Sequence, residues 1–225
     1  KNGHDVKISK IQFKTGDQYN FLFECTNLDY LISFSTNGRV YCRALLELSE
    51  ARIAGLPFSS LVEPTPNESF HTFFVGKEKD KFIVVTQCGK GLTTKMDKVL
   101  TKTRVGKAFL KLEDGDKPVA IIPVQKEESA LALLTNLGYL LVIGTNSVKE
   151  LFAGGRGVKL IGLKSGDQIR SACLVGETGL EFKALTKQGQ SKVFKLSRNK
   201  LLDFIGKRSQ RGKKVNSRLT IKSMK

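Results

Sequence analysis

One pattern repeats four times along this sequence, about every 51 residues, and it constrains the fold more than any other feature. Each copy has an apolar stretch, a glycine turn, a second apolar stretch and a glycine-bearing loop. The glycines of the turns are Gly38, Gly89, Gly138 and Gly189, and those of the loops are Gly55, Gly106, Gly157 and Gly212. Two glycine series with nearly the same spacing indicate a structural repeat. A period of roughly 40 to 50 residues with several strands per unit is typical of propeller-like blades.

Within each repeat, the apolar stretches are too short and too often interrupted for long helices. Dipeptides such as Asn37-Gly38 favour tight hairpins, because both residues tolerate positive φ. A Thr stands three positions before Gly89, Gly138 and Gly189, and Thr36 lies in the corresponding turn of the first repeat. A third strand is predicted after the loop (107–112 and 158–163), then a Gly-Asp turn, then an apolar last strand (119–124 and 169–175). Four strands per repeat make a blade.

The predicted fold class is therefore all-β, a propeller-like arrangement of about four full four-stranded blade repeats plus a partial N-terminal blade. We expect a single domain over 1–225, with a partial repeat at 1–28 and full repeats at 29–75, 80–124, 129–175 and 180–225. The first 28 residues match only the second half of a repeat, so the chain resembles a fragment cut inside a blade. Whether its two ends pair or leave an open arc stays undecided at this point.

The charge of the chain indicates the class of partner. There are 38 basic and 21 acidic residues, for a formal net charge of +17. Such an excess favours a polyanion, and the lack of a long basic amphipathic helix favours nucleic acid over a membrane surface. No apolar run is long enough to span a membrane, and the first residues do not resemble a signal peptide.

Residues that could carry chemistry are sparse. The four cysteines are far apart and form no CxxC pair, so we interpret them as reduced thiols of a cytosolic protein. Neither histidine has a partner at metal-ligand spacing. No nucleophile–base pair is evident. The sequence therefore predicts no catalytic residue, no metal site and no cofactor.

Basic residues recur at one position of the repeat, the loop that carries the second glycine. Three of the four loops are basic, while the first has Glu47 and Glu50 against Arg52. The predicted DNA-binding residues are Lys98, Lys102, Arg104, Lys107, Arg156, Lys159, Lys207, Arg208, Arg211, Lys213 and Lys214. Equivalent loops should form a basic belt, in which glycine lets backbone N–H groups approach phosphates.

Two further expectations concern the surroundings of that belt. The acidic turns at 113–116 and 166–167 should lie about one strand away, roughly 20 Å, from the basic loops. Few aromatic residues are close to these loops in sequence, so base stacking of the kind used by single-strand binders is not predicted.

Several segments resemble the C-terminal domain of bacterial type IIA topoisomerase A subunits, with topoisomerase IV the nearer subgroup. The resemblance rests on the Thr-x-x-Gly hairpins, the loop Gly155-Arg156-Gly157-Val158-Lys159 and the trailing Gly-Asp turn. Its most specific segments are 1–5 with 15–17, 35–41 and 201–212, and it covers essentially the whole chain.

This resemblance implies a β-pinwheel whose blades exchange strands and which binds and bends double-stranded DNA. The module would be non-catalytic, because the family's catalytic tyrosine lies in another domain. It would capture DNA for ATP-dependent relaxation and decatenation by the full enzyme. Its implied partners there are the A-subunit N-terminal domain and the ATPase B subunit. The implied location is the bacterial cytoplasm, at the nucleoid.

Gyrase has a Gln-Arg-Arg-Gly-Gly-Arg-Gly box, and here only the partial match Gln210-Arg211-Gly212-Lys213 is present, in the last repeat. This favours topoisomerase IV, with a gyrase-type DNA-wrapping domain as the alternative. A propeller scaffold that binds an acidic protein, or an RNA-binding platform, also remains open. Steep salt dependence and a preference for duplex DNA would separate these hypotheses.

Overall fold

A computed structural model describes residues 13, 15–16, 22–48, 57–124, 129–186, 188–215 and 220–224. The strands in chain order are β1 Tyr30–Ser35, β2 Arg39–Ala44, β3 Phe70–Gly76, β4 Lys81–Thr86, β5 Lys90–Lys95, β6 Lys107–Ala108, β7 Pro118–Pro123, β8 Ala130–Thr135, β9 Tyr139–Gly144, β10 Val158–Lys159, β11 Ile169–Leu174, β12 Leu180–Leu185, β13 Ser191–Leu196, β14 Lys213–Lys214 and β15 Thr220–Met224. The helices are single turns: α1 Phe58–Leu61, α2 Met96–Val99 and α3 Arg198–Leu201, with 3₁₀ turns at Leu45–Glu47, Thr145–Ser147 and Leu202–Phe204. The predicted all-β class is confirmed.

The strands form four antiparallel sheets, one for each predicted full repeat. Their strand orders are β3-β1-β2-β6, β10-β5-β4-β7, β11-β8-β9-β14 and, over the described residues, β13-β12-β15. We call them blades 1 to 4. The last strands of successive repeats, β3, β7, β11 and β15, contact one another in that order, so the blades are arranged side by side. The predicted partial N-terminal blade lies almost entirely outside the described residues.

Neighbouring blades exchange a strand, as the family resemblance implied. β6, which follows the loop of the second repeat, pairs with β2 of blade 1, and β10 and β14 pair in the same way with β5 and β9. A blade is thus three strands of its own repeat and one from the next. This corrects the sequence-based assignment of all four strands to one repeat. The exchanged strands are also shorter than predicted, since their ladders cover only two residues before the chain turns to the neighbouring loop.

The apolar cores lie between blades and explain why the strands are almost uniformly apolar. In β4, Phe82 and Val84 face the core shared with blade 1, whereas Ile83 and Val85 face the core shared with blade 3. Successive side chains of a strand point to opposite faces, so a blade covered on both faces needs apolar residues at every position. Continuous apolar runs are the result, in place of alternation.

The hairpin turns share one backbone geometry. Gly38, Gly89, Gly138 and Gly189 have φ between 75° and 82°, as predicted for tight turns. In each turn the glycine N–H donates to the carbonyl oxygen three residues earlier, at 3.0 Å. The following Gly-Asp turns are attached to these hairpins, because the carboxylates of Asp116 and Asp167 accept hydrogen bonds from the N–H groups of Cys88 and Leu137.

Candidate nucleic-acid interface

The loop glycines allow the exchanged strands to reach the preceding blade. Gly106, Gly157 and Gly212 have φ of 65°, 69° and 80°, a region that side chains disfavour. A Cβ atom at these glycines would lie 2.8, 2.5 and 2.3 Å from the carbonyl oxygens of Val40, Gly91 and Leu140. Each of those carbonyls is two residues after a turn glycine. Glycine is therefore required by the close crossing of two chains, and the crossing repeats at three equivalent places.

Backbone hydrogen bonds link successive loops into a continuous track. The loop of the third repeat contacts the segment after β6, where Gly155 N donates to Phe109 O at 2.8 Å and Lys111 N donates to Gly155 O at 3.0 Å. The loop of the fourth repeat contacts the segment after β10 in the same way, with Ser209 N donating to Leu160 O at 2.9 Å. We call this track, residues 98–111, 149–162 and 206–215, the rim belt.

All eleven predicted DNA-binding residues lie on the rim belt, and all are exposed. Lys98 is in α2, and Lys102 and Arg104 precede the glycine that leads to Lys107 in β6. Arg156 and Lys159 lie on either side of Gly157 at β10. The fourth loop supplies Lys207, Arg208, Arg211, Lys213 and Lys214, and the Arg208 guanidinium donates to Lys159 O at 2.9 Å. The cations of the third and fourth loops therefore form one contiguous surface.

The loops differ in how many of their charges are already paired. In the second loop, Arg104 Nε lies 3.2 Å from a carboxylate oxygen of Glu63, and its guanidinium also donates to Ser60 O at 2.9 Å. Lys98 Nζ lies 2.8 Å from the carboxylate of Asp97. Over the part of the chain that the structure describes, no ion pair involves the five cations of the fourth loop. The fourth loop thus has the most unpaired positive charge.

The expected separation of acidic turns from basic loops is wrong at Glu113. Its carboxylate pairs with Lys90, which lies in register with Lys159 of the exchanged strand β10. Hydrogen bonding and attraction to Lys90, with a smaller contribution from Arg156, lower the pKa of Glu113. The cause is the strand exchange, which brings the loop of the next repeat against the turn. Distance along one strand was therefore the wrong measure.

The expectation that aromatic rings are remote from the loops is also wrong. The Tyr139 ring centroid lies 5.4 Å from Lys164 Nζ and 5.8 Å from the Arg211 guanidinium. The Phe152 ring, 52% exposed, has Lys95 and Lys98 ammonium groups at 5.9 and 6.0 Å. These are cation–π distances. Tyr139 lies far from residue 211 in sequence, and only the exchange makes them neighbours.

Sequence reasoning also missed cations beside the rim belt. Lys90 and Arg39 each directly follow a turn glycine, and the Arg39 guanidinium donates to the carbonyl oxygens of Val105 and Gly106 at 2.8 to 3.0 Å. Lys95 and Lys164 reach the belt through the aromatic contacts described above. Position relative to the turn glycine was the available signal, because that residue begins the strand that receives the exchanged partner.

Parts of the prediction fall on residues that are not described. Glu50, Arg52 and Gly55 of the acidic first loop are among them, whereas Glu47 is exposed. The segment after this loop does reach the rim belt, since Glu63 N donates to Arg104 O at 2.8 Å. A carboxylate therefore lies beside the belt at blade 1.

Other chemical features of the described residues are few. They contain no group of three His, Cys, Asp or Glu that could hold a metal ion. They also contain no helix that is long and apolar enough to cross a membrane. The four cysteines are free, and burial raises the pKa of Cys42 and of Cys173 to about 11.

Comparison with known proteins agrees with this geometry. The sequence model of the family "DNA gyrase C-terminal domain, beta-propeller" matches residues 80–125 and 130–172. These two repeats belong to that family. They are the repeats that form most of blades 2 and 3, and β10, the strand they exchange, lies in the second matched segment.

Curated relatives extend the similarity along the chain. The A subunit of DNA topoisomerase 4 from Pseudomonas aeruginosa is 29% identical over 217 residues, which cover 95% of this chain and 28% of that protein. The Rickettsia felis protein of the same name is 26% identical over 94% of the chain, and the Escherichia coli K12 protein 22% over 93%. The chain thus spans little more than a quarter of the length of these relatives. The predicted resemblance to topoisomerase IV A subunits is confirmed.

Solved structures show the same fold. The E. coli ParC C-terminal domain superposes with a TM-score of 0.83, covering 99% of this chain and 91% of that one, at 18% identity. The C-terminal domain of DNA topoisomerase IV gives 0.73 and that of DNA gyrase A gives 0.66, each at 20% identity and 88% coverage of this chain. At these identities the likeness concerns the fold alone, which is the predicted β-pinwheel.

Proposed function

We propose that this chain is a non-catalytic module that binds and bends duplex DNA through the rim belt. The single observation that carries the proposal is the recurrence of exposed cations on three structurally equivalent, backbone-linked loops. An array of Lys and Arg without a recognition helix suits phosphate contact, which positions a protein on DNA but reads no sequence. Its binding should therefore tolerate any sequence.

Bending follows from the arrangement of the loops. Cations at successive blades meet phosphates on one side of a duplex, and the fourth loop offers the most unpaired charge. A stiff duplex that contacts more than one blade must deform, and extra phosphate contacts offset that deformation. Within the larger topoisomerase IV protein, the module would present DNA segments for relaxation and decatenation by the assembled enzyme.

The remaining parts of the proposal concern the parent protein. Cleavage would reside in the A-subunit N-terminal domain and ATP hydrolysis in the B subunit, with the assembly in the bacterial cytoplasm at the nucleoid. Names of the relatives support this context. The partial gyrase-type box in the last repeat favours topoisomerase IV over a gyrase-type wrapping domain.

A titration with three ligands tests the proposal. We expect duplex DNA to bind more tightly than a single strand of equal length, with log K falling against log salt by about 0.9 for each phosphate neutralised. A polyglutamate peptide serves as the acidic-protein control. Equal affinity for all three ligands would favour a scaffold that binds any polyanion. The chain alone should leave plasmid topology unchanged, with or without ATP and magnesium.

A further inference from the structure

Glu113 and Lys164 occupy equivalent positions in two successive blades. Each lies two residues before the glycine of a Gly-Asp turn, and its carbonyl oxygen accepts from Asp116 N at 2.9 Å or from Asp167 N at 3.0 Å. The two Asp carboxylates in turn bind the hairpin turns of their own blades. Backbone geometry is thus the same, while the side-chain charge is opposite.

At blade 3, the basic member of this pair joins a cluster of cations. Lys164 and Arg211 both lie against the Tyr139 ring, and Lys214 is in register with Tyr139 across the exchanged strand. Lys164, Arg211 and Lys214 together contribute three positive charges at this rim. Over the described residues, none of the three forms an ion pair.

At blade 2, the acidic member opposes the corresponding cations. Glu113 pairs with Lys90, and Arg156 also attracts its carboxylate. Lys90, Arg156 and Lys159 contribute three positive charges and Glu113 removes one, which leaves two. The rim of blade 2 is therefore less positive than that of blade 3, and Glu113 occupies a cation that would otherwise face phosphate.

We propose that the residue two positions before the glycine of the Gly-Asp turn determines how strongly each blade holds duplex DNA. Lys164 strengthens the hold of blade 3, and Glu113 weakens that of blade 2. This inference rests on the proposed DNA-binding function. It follows that DNA is gripped asymmetrically, more firmly at blade 3 than at blade 2, although the two blades share one backbone design.

Reciprocal substitution tests the inference. Glu113→Lys should raise duplex affinity up to about eightfold at 0.1 M salt, the effect of one added phosphate contact, and should steepen the salt dependence. Lys164→Glu should lower affinity by a similar factor. Both side chains are on the surface, and exposed ion pairs contribute little to stability, so both variants should fold; circular dichroism checks this.

The matched control is Glu177→Lys, which changes the net charge by the same amount in the exposed connection between β11 and β12. The double variant Glu113→Lys/Lys164→Glu keeps the net charge of +17. With DNA bound, its lysine-acetylation pattern should show more protection at Lys90 and Lys159 and less at Lys213 and Lys214. Equal gains for Glu113→Lys and Glu177→Lys, or an unchanged acetylation pattern, would overturn the inference alone. A wild-type chain without salt-dependent duplex binding would instead overturn the proposed function.

Discussion

The interior of the blades and the rim belt follow different rules, although both are built from the same repeat. Inside, corresponding positions are filled by similar residues: Phe82 and Phe182 begin equivalent hairpins and are both fully buried. At the rim, the backbone is equally regular but the side chains change sign, as at Glu113 and Lys164. Packing constrains buried positions by volume, whereas exposed positions are free to vary in charge.

This difference locates function in the variable part of a regular frame. Hairpins, loop glycines and exchanged strands repeat because each blade must be covered by its neighbours. Charge on the rim is not needed for that, so its distribution reflects what the surface binds. The predictions below test whether interior and rim can be changed independently.

The largest effect on stability is expected in the interior. Phe82 is fully buried between blades 1 and 2 and contacts the rings of Phe34 and Phe74 at centroid distances of 6.3 and 5.6 Å. Phe82→Ala should lower the free energy of unfolding by about 3 to 5 kcal/mol. Val193→Ala, at a side chain that is 55% exposed, should change it by less than about 0.5 kcal/mol. Urea denaturation measures both, and similar losses would contradict the assignment of the core.

A smaller but selective effect is expected where the rim is attached to the interior. Gly157→Ala would place a Cβ 2.5 Å from Gly91 O in a positive-φ conformation, whereas at Gly138 no atom lies within 4 Å. Gly138→Ala should cost about 1 kcal/mol for the backbone conformation alone, and Gly157→Ala clearly more, because the exchanged strand must move. Thermal unfolding compares them. Equal costs would show that the chains do not cross closely at Gly157.

The smallest of these effects concerns the second loop. Lys102, Arg104 and Lys107 changed together to Gln should weaken duplex binding by only about tenfold at 0.1 M salt, because Arg104 is already paired with Glu63. Changing Lys183, Lys192 and Lys195 of blade 4, three exposed cations outside the rim belt, is the control and should alter affinity by less than about threefold. Fluorescence anisotropy resolves this difference. Equal losses would mean that net charge alone governs binding.

Much of the fold could be predicted because local chemistry specifies it. Gly89 and Gly138 mark turns that need positive φ, and the apolar runs between them are what a blade covered on both faces requires. Pairing between repeats could not be predicted from the residues alone. Nothing in Lys159 indicates that its strand partner is Lys90 of the preceding repeat.

Errors about the site have that same origin. Glu113 was expected to be remote from the basic loops, and Tyr139 was not associated with them, because both expectations followed the chain within one repeat. The exchanged strands bring residues from two repeats to one rim. The cations themselves were correctly expected to be exposed, since charge on a glycine loop has no apolar face to cover.

The central claim is that the rim belt holds DNA through phosphate contacts, and one measurement tests it directly. Lys207, Arg208, Arg211, Lys213 and Lys214 are replaced together by Gln, and duplex affinity is measured across a range of salt concentrations. The account predicts that affinity falls at least about a hundredfold at 0.1 M salt and that the slope of log K against log salt flattens by up to about 4.5, five times 0.9. A folded variant with unchanged affinity and unchanged slope would contradict the account.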